Sequence, residues 1–252
     1  MFYGVGLSQR RDEFNQALRT IMECCGPGFT GDNLIALQRA AGFREDEKFM
    51  QCLQKLVENK QERSLSWRLH TLIWAAQTAL RLDGDFVECG VHRAFCSSFI
   101  CDYLDFASVD KTFYLYDTFA GIPEHLNSEK RSNDAYYREN SVDPNAIYKA
   151  AIVRLIDVPN AHFVRGVIPD SFAVACPQKI AFLHVDLNAA AAEIAALEVL
   201  FDRVVLGGMI VFDDYGWSGY QAQRLAEDAF MAERGHHILE LPTGQGLLIK
   251  HA

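Results

Sequence analysis

The amino-acid sequence predicts an α/β protein: a seven-stranded sheet of five parallel strands and a C-terminal antiparallel hairpin, preceded by a helical extension. Three observations carry this. From Asp83 onward, short apolar runs alternate with stretches of helical periodicity, the rhythm of βαβ units. The last two apolar runs are separated only by a turn, so the final strand returns antiparallel. The first eighty residues instead carry apolar stripes at three- and four-residue spacing.

Taken in order, Ser8 can cap a first helix with Phe14, Leu18 and Ile21 on one face, stopped by Gly26-Pro27-Gly28. Asp32 opens a short second helix with Leu34, Leu37 and Ala41, ended by Gly42. Phe49, Leu53 and Leu56 mark a third, and Leu65 to Leu80 a long fourth, with Trp67, His70 and Trp74 read as packing groups. Residues 1–82 are therefore expected to form a helical segment that covers a pocket or makes a homodimer, and 83–252 the sheet domain. The five parallel strands are expected at Phe86–Val91, Thr112–Thr118, His162–Gly166, Ile180–Asp186 and Gly208–Asp213, and the hairpin at His237–Leu241 and Gly246–Lys250. Helices fall between them, one started by Asp143-Pro144, one over Ala189–Arg203 and one over Ser218–Glu233. Residues 120–142 are polar and long for a βα connection, which points to a lid.

Composition narrows the function classes. The 252 residues are half hydrophobic and 23% charged, as in a globular chain. A net charge of −9 argues against nucleic acid, whose phosphates reward a basic face. Seven cysteines with no C-x-x-C spacing read as reduced thiols of a cytoplasmic protein. The first residues hold no long apolar run, so neither a signal peptide nor a membrane span is expected.

Open parallel sheets bind ligands at the carboxyl ends of their strands. The first strand ends in Glu88-Cys89-Gly90-Val91, and Ser97 falls near the start of the following helix. Gly90 permits a tight turn close to a ligand. Glu88 suits a ligand carrying an amine or cation, since a pyrophosphate cradle normally reads G-x-G-x-x-G with no carboxylate beside it. The second strand ends in Asp117-Thr118, where a carboxylate can accept from ribose hydroxyls. Gly166 ends the third, where the chain can pass close to a flat base. Asp186 ends the fourth strand, and Asp213 and Asp214 end the fifth. Neighbouring carboxylates repel unless protonated or bridged by a cation. Oxygen ligands suit Mg²⁺ or another divalent ion, which would acidify a bound hydroxyl. His184 is read as a core residue and His92 as an outside candidate.

VECGVHRAFCSSFI, with the acids that follow in order, resembles the class I S-adenosylmethionine-dependent methyltransferases, closest to the macrocin O-methyltransferase-like group. The resemblance runs from about residue 65 to 250. It implies a Rossmann-like fold and S-adenosylmethionine as cofactor. Glu88 and Gly90 would hold its methionine end and Asp117 its ribose, with Cys89, Val91, Ser97, Thr118, Gly166 and Asp186 around it. It implies Asp186, Asp213 and Asp214 as ligands of a divalent metal, and a sugar or natural-product hydroxyl as methyl acceptor; a base that some relatives place in this region is absent, which leaves Asp186 as the candidate for base as well as ligand. Tyr136, Tyr137, Arg138, Trp217 and Tyr220 are expected near that acceptor. The sequence departs from the pattern at Ala94, where a second glycine is usual, and at Asn188-Ala189-Ala190, where an acid and an aromatic are. These departures motivate one rival, a scaffold that keeps the cofactor but not turnover. A nicotinamide-dependent oxidoreductase is the other, weakened by the missing G-x-G-x-x-G and by the hairpin.

Overall fold

The computed structural model describes residues 7–26, 28–129 and 143–252. The chain divides into two compact units, 1–70 and 71–252.

The first unit opens with α1, Leu7–Cys25, bent at Arg10. Ser8 therefore lies inside the helix and not at its cap. The segment expected as a second helix is a β-hairpin of β1, Gly28–Gly31, and β2, Leu34–Leu37. Asp32 and Asn33 both adopt positive φ, 51° and 56°, which is the two-residue turn whose twist matches paired strands. The spacing of Leu34, Leu37 and Ala41 imitates a helix, but the turn residues decide. Asp32 also takes a two-point ion pair from Arg68 at 2.9 and 3.1 Å, with both side chains buried. Then come α2, Glu47–Leu56, capped by Asp46, and a helix absent from the sequence expectation, α3, Lys60–Ser64, capped by Asn59. The rings of Phe29, Phe43, Phe49, Trp67 and His70 meet edge to face or tilted and form this unit's core. α4, Ser66–Ala79, crosses the division. Trp74 on it is 46% exposed and so is not the packing group expected.

The second unit holds a seven-stranded sheet. Its strands are β3 (Asp85–Cys89), β4 (Phe113–Asp117), β5 (Ala161–Arg165), β6 (Ile180–Val185), β7 (Val204–Phe212), β8 (Leu239–Glu240) and β9 (Gly246–Ile249). Their spatial order is β5-β4-β3-β6-β7-β9-β8. The first five are parallel and the last two antiparallel, as the sequence predicts. All six residues of β6 are buried, as a strand covered on both faces requires. The helices between strands are α5 (Phe95–Leu104), α6 (Pro144–Arg154), α7 (Ala190–Leu200) and α8 (Gln221–Ala232). Asp143 caps α6 through the N–H groups of Asn145 and Ala146. Phe86, Phe106, Phe113 and Phe182 pack ring on ring beneath the sheet centre. From β3 the strand order runs one way to β4 and β5 and the other way to β6 and β7. That reversal is the switch point where open α/β sheets bind ligands. Among the described residues, no helix is long and apolar enough to cross a membrane.

Candidate active site

The strand tips are held level. Beyond the strand ends, Gly90 N donates to Tyr116 O, Asp186 N to Cys89 O, Asp213 N to Val185 O and Gly166 N to Asp117 O, at 2.8 to 3.0 Å. The sequence-predicted site residues Glu88 to Val91, Asp117, Thr118, Gly166, Asp186, Asp213 and Asp214 all lie along this edge. Gly90 has φ +93°, and a Cβ there would collide with the Asp186 carbonyl oxygen. The glycine is needed first to let β3 and β6 touch at their tips.

The next residues form a loop around Asp117. Asp117 Oδ2 accepts from Val91 N at 2.8 Å and His92 N at 2.7 Å, and Oδ1 accepts from Phe119 N at 2.6 Å. His92 and Ala94 both have positive φ, 48° and 58°. Ala94 thus occupies a conformation that favours glycine, at a cost of about 1–2 kcal/mol. Thr118 Oγ1 donates to Gly121 O at 2.8 Å and accepts from Ala120 N at 3.0 Å, which closes the turn after β4. Cys89 and Ser97 are fully buried, and Ser97 Oγ has no hydrogen-bond partner among the described residues.

On the other side of the switch point, polar side chains run into the sheet. Glu88 pairs in register with His184, and its Oε1 lies 2.8 Å from His184 Nδ1. His184 Nε2 lies 3.5 Å from Asp213 Oδ1. All three side chains are buried. Burial disfavours the imidazolium, but Asp213 and Glu88 together outweigh it and push the His184 pKa up to about 10. His184 is therefore a buried cation between two carboxylates and not only a core residue. Glu88 Oε2 has no partner among the described residues.

His184, Asp186 and Asp213 each offer one ligand atom, all within 4.8 Å of one another. Asp214, expected as the third carboxylate, stands outside that group, and His184 takes its place. Asp186 Oδ1 accepts from Asn188 Nδ2 at 2.9 Å. Tyr215, after the acid pair, donates to Asp228 at 2.5 Å. Glu193 of α7 accepts from Leu187 N at 3.2 Å and from Gln223 Nε2 at 2.9 Å, and so anchors the loop that carries Asp186.

Residue Glu129 of the expected lid accepts from Ala190 N, at the uncapped start of α7. Tyr136, Tyr137 and Arg138 lie outside the described residues. Trp217 lies against Gly244 of the hairpin turn. The roles of His184, Glu193 and the hairpin turn escape sequence reasoning. One signal was present: Glu88 and His184 are polar residues flanked on both sides by apolar ones within their strands.

A model of the family described as macrocin O-methyltransferase (TylF) matches residues 66–239, more than half of the sequence. The chain belongs to the macrocin O-methyltransferase family. It is accordingly a methyltransferase, and the nicotinamide alternative falls away. Solved structures share this family member's fold. The O-methyltransferase NovP is 22% identical, with a TM-score of 0.60 over 73% of this chain and 80% of that one. CalS11, a calicheamicin methyltransferase, is 16% identical, with a TM-score of 0.58 over 82% and 92%. CalS11 without ligand, described as a TDP-rhamnose 3'-O-methyltransferase, is 13% identical, with a TM-score of 0.56 over 98% and 96%. No curated protein sequence matches this methyltransferase.

Proposed function

We propose that this methyltransferase uses S-adenosylmethionine and a divalent metal to methylate a hydroxyl of a small acceptor, a sugar of natural-product type. One observation carries the reading. The Val91-His92 loop drawn onto Asp117 and the His184–Asp186–Asp213 group occupy adjacent tips of one sheet edge. A cofactor and an acceptor side by side need that adjacency, since transfer requires the hydroxyl in line with the methyl and the departing sulfur. CalS11, a calicheamicin methyltransferase described as a TDP-rhamnose 3'-O-methyltransferase, favours the same kind of acceptor.

The residues fit the cofactor. Glu88 Oε2 is a buried acceptor without a hydrogen-bond partner among the described residues, suited to the ammonium of a methionine moiety. Gly90 and Val91 present backbone beside it, and Asp117 holds that backbone in place and offers its carboxylate to a ribose. Cys89, Ser97, Thr118 and Gly166 shape the surrounding walls. Bound there, S-adenosylmethionine supplies an electrophilic methyl on a sulfonium.

They also fit a metal. The Asp186 and Asp213 carboxylates, with the His184 imidazole once it has given up its proton, suit Mg²⁺ or a related ion, and Asp214 can join through a small side-chain movement or a water. Such an ion supplies Lewis acidity that lowers the pKa of a hydroxyl. In this reading Asp186 takes the acceptor's proton, and Asn188 restrains it through Oδ1.

The test is Asp213→Asn. S-adenosylhomocysteine affinity by calorimetry should stay as in the parent, while Mg²⁺-dependent methyl transfer to a panel of glycosylated acceptors should fall roughly 100-fold or more. Turnover indifferent to both chelator and substitution would remove the metal from the mechanism. Asn188, whose amide cannot take a proton, favours a second reading: a scaffold that binds cofactor without turnover. Tight S-adenosylhomocysteine binding with no transfer to any acceptor would select it.

A further inference from the structure

The turn of the C-terminal hairpin reaches the strand tips that carry the metal group. β9 pairs with β7 so that Gly246 lies opposite Phe212, which brings Gln245 beside Asp213. Gln245 is fully buried. Its Nε2 donates to Asp213 Oδ1 at 3.1 Å, and its Oε1 accepts from Thr243 Oγ1 at 3.0 Å. A carboxylate only accepts, so the amide must turn its NH₂ toward Asp213, and the Thr243 hydroxyl then holds the carbonyl side. The turn is itself seated. Gly216 N donates to Gly244 O at 2.8 Å, and Leu241 N donates to Gln245 O at 2.8 Å. Gly244 has φ +82°, and a Cβ there would run into the Trp217 indole. His184 approaches the same Oδ1 from β6. A side-chain hydrogen bond to Asp213 Oδ1 thus comes from Gln245, with His184 approaching the same oxygen at 3.5 Å.

We propose that Gln245 is a positioning residue for the metal group: held by Thr243, it fixes the carboxylate orientation on which an ion at Asp213 would depend. This rests on the metal-assisted reading above. Hydrogen bonds to the back of a ligating group set its orientation and basicity, and losing one typically weakens metal affinity about 10- to 100-fold.

The experiment uses the full chain saturated with S-adenosylhomocysteine and titrated with Mn²⁺, the free ion being read by paramagnetic resonance. Gln245→Leu should raise the Mn²⁺ dissociation constant about tenfold or more, with S-adenosylhomocysteine affinity equal to the parent's. Thr243→Val should move Mn²⁺ affinity the same way by less, and Thr243→Ser should restore it. If Gln245→Leu does not fold, the Thr243 pair decides. The inference is overturned by Mn²⁺ affinity indistinguishable from the parent's in either Gln245→Leu or Thr243→Val. It is equally overturned if Mn²⁺ and S-adenosylhomocysteine affinity fall together, which marks a general structural role. A parent that takes up no Mn²⁺ ends the metal reading and this inference with it. A parent that binds, with variants that match it, ends this inference alone.

Discussion

At the tips of β3 and β4 the site is made of backbone. Asp117 takes three main-chain N–H groups, two of them from the four residues after β3. At the tips of β6 and β7 it is made of side chains. Glu88, His184, Asp213, Gln245 and Thr243 follow one another, and they come from the ends of three strands and a turn. The contrast suits the two tasks. Backbone amides present fixed donors and need one organising carboxylate. A group meant to hold an ion must bury charge, and each buried charge needs a partner.

The largest effect is expected at His184. His184→Leu removes the cation between two buried carboxylates and should cost about 3–5 kcal/mol of unfolding free energy by denaturant melts. A cost near zero would mean that Glu88 and Asp213 do not depend on it. Next comes the acid pair behind the Asp186 loop. Burial, then the neighbouring Glu227 charge, raises the Glu193 pKa, and burial pushes Glu227 up to about 7. A carboxyl whose folded pKa is raised stabilises fully below its unfolded value of 4.5, and that stability is lost as pH rises through the folded value. The protein should therefore lose about 3 kcal/mol between pH 4.5 and 8, and Glu227→Gln should flatten that fall in melts across the same range.

On the backbone side, Asp117→Ala should weaken S-adenosylhomocysteine binding by roughly 1.5–3 kcal/mol and leave Mn²⁺ affinity alone. Loss of both would erase the distinction between the two sides. The smallest effect is expected at Ala94→Gly. Relief of the left-handed backbone opposes the loss of a buried methyl, so stability should change by about 1 kcal/mol or less. Thermal melts check it.

Much of the sheet was legible because its signals are local. Runs such as Ile180–Val185 are apolar throughout, and only a doubly covered strand of that length accommodates them. The Pro242–Gln245 turn between two apolar runs announces the hairpin. Errors arose where local signals compete. At Asp32-Asn33, an apolar spacing that fits a helix outweighed turn residues that fit a hairpin. At Trp74, the apolar character of the side chain said nothing of what covers it.

The strand tips divide along the same line. The sequence alone determined which acids end which strands, because strand length and βαβ order place them at one edge. It also placed Asp186 near Asp213. Only the tertiary structure brought a His184 nitrogen within reach of Asp186 and Asp213 and turned Glu88 to His184. Only it brought Gln245, 32 residues on from Asp213, to hold that carboxylate. Side-chain direction across paired strands depends on register and on what each buried charge finds beside it. Neither is written in the spacing along one strand.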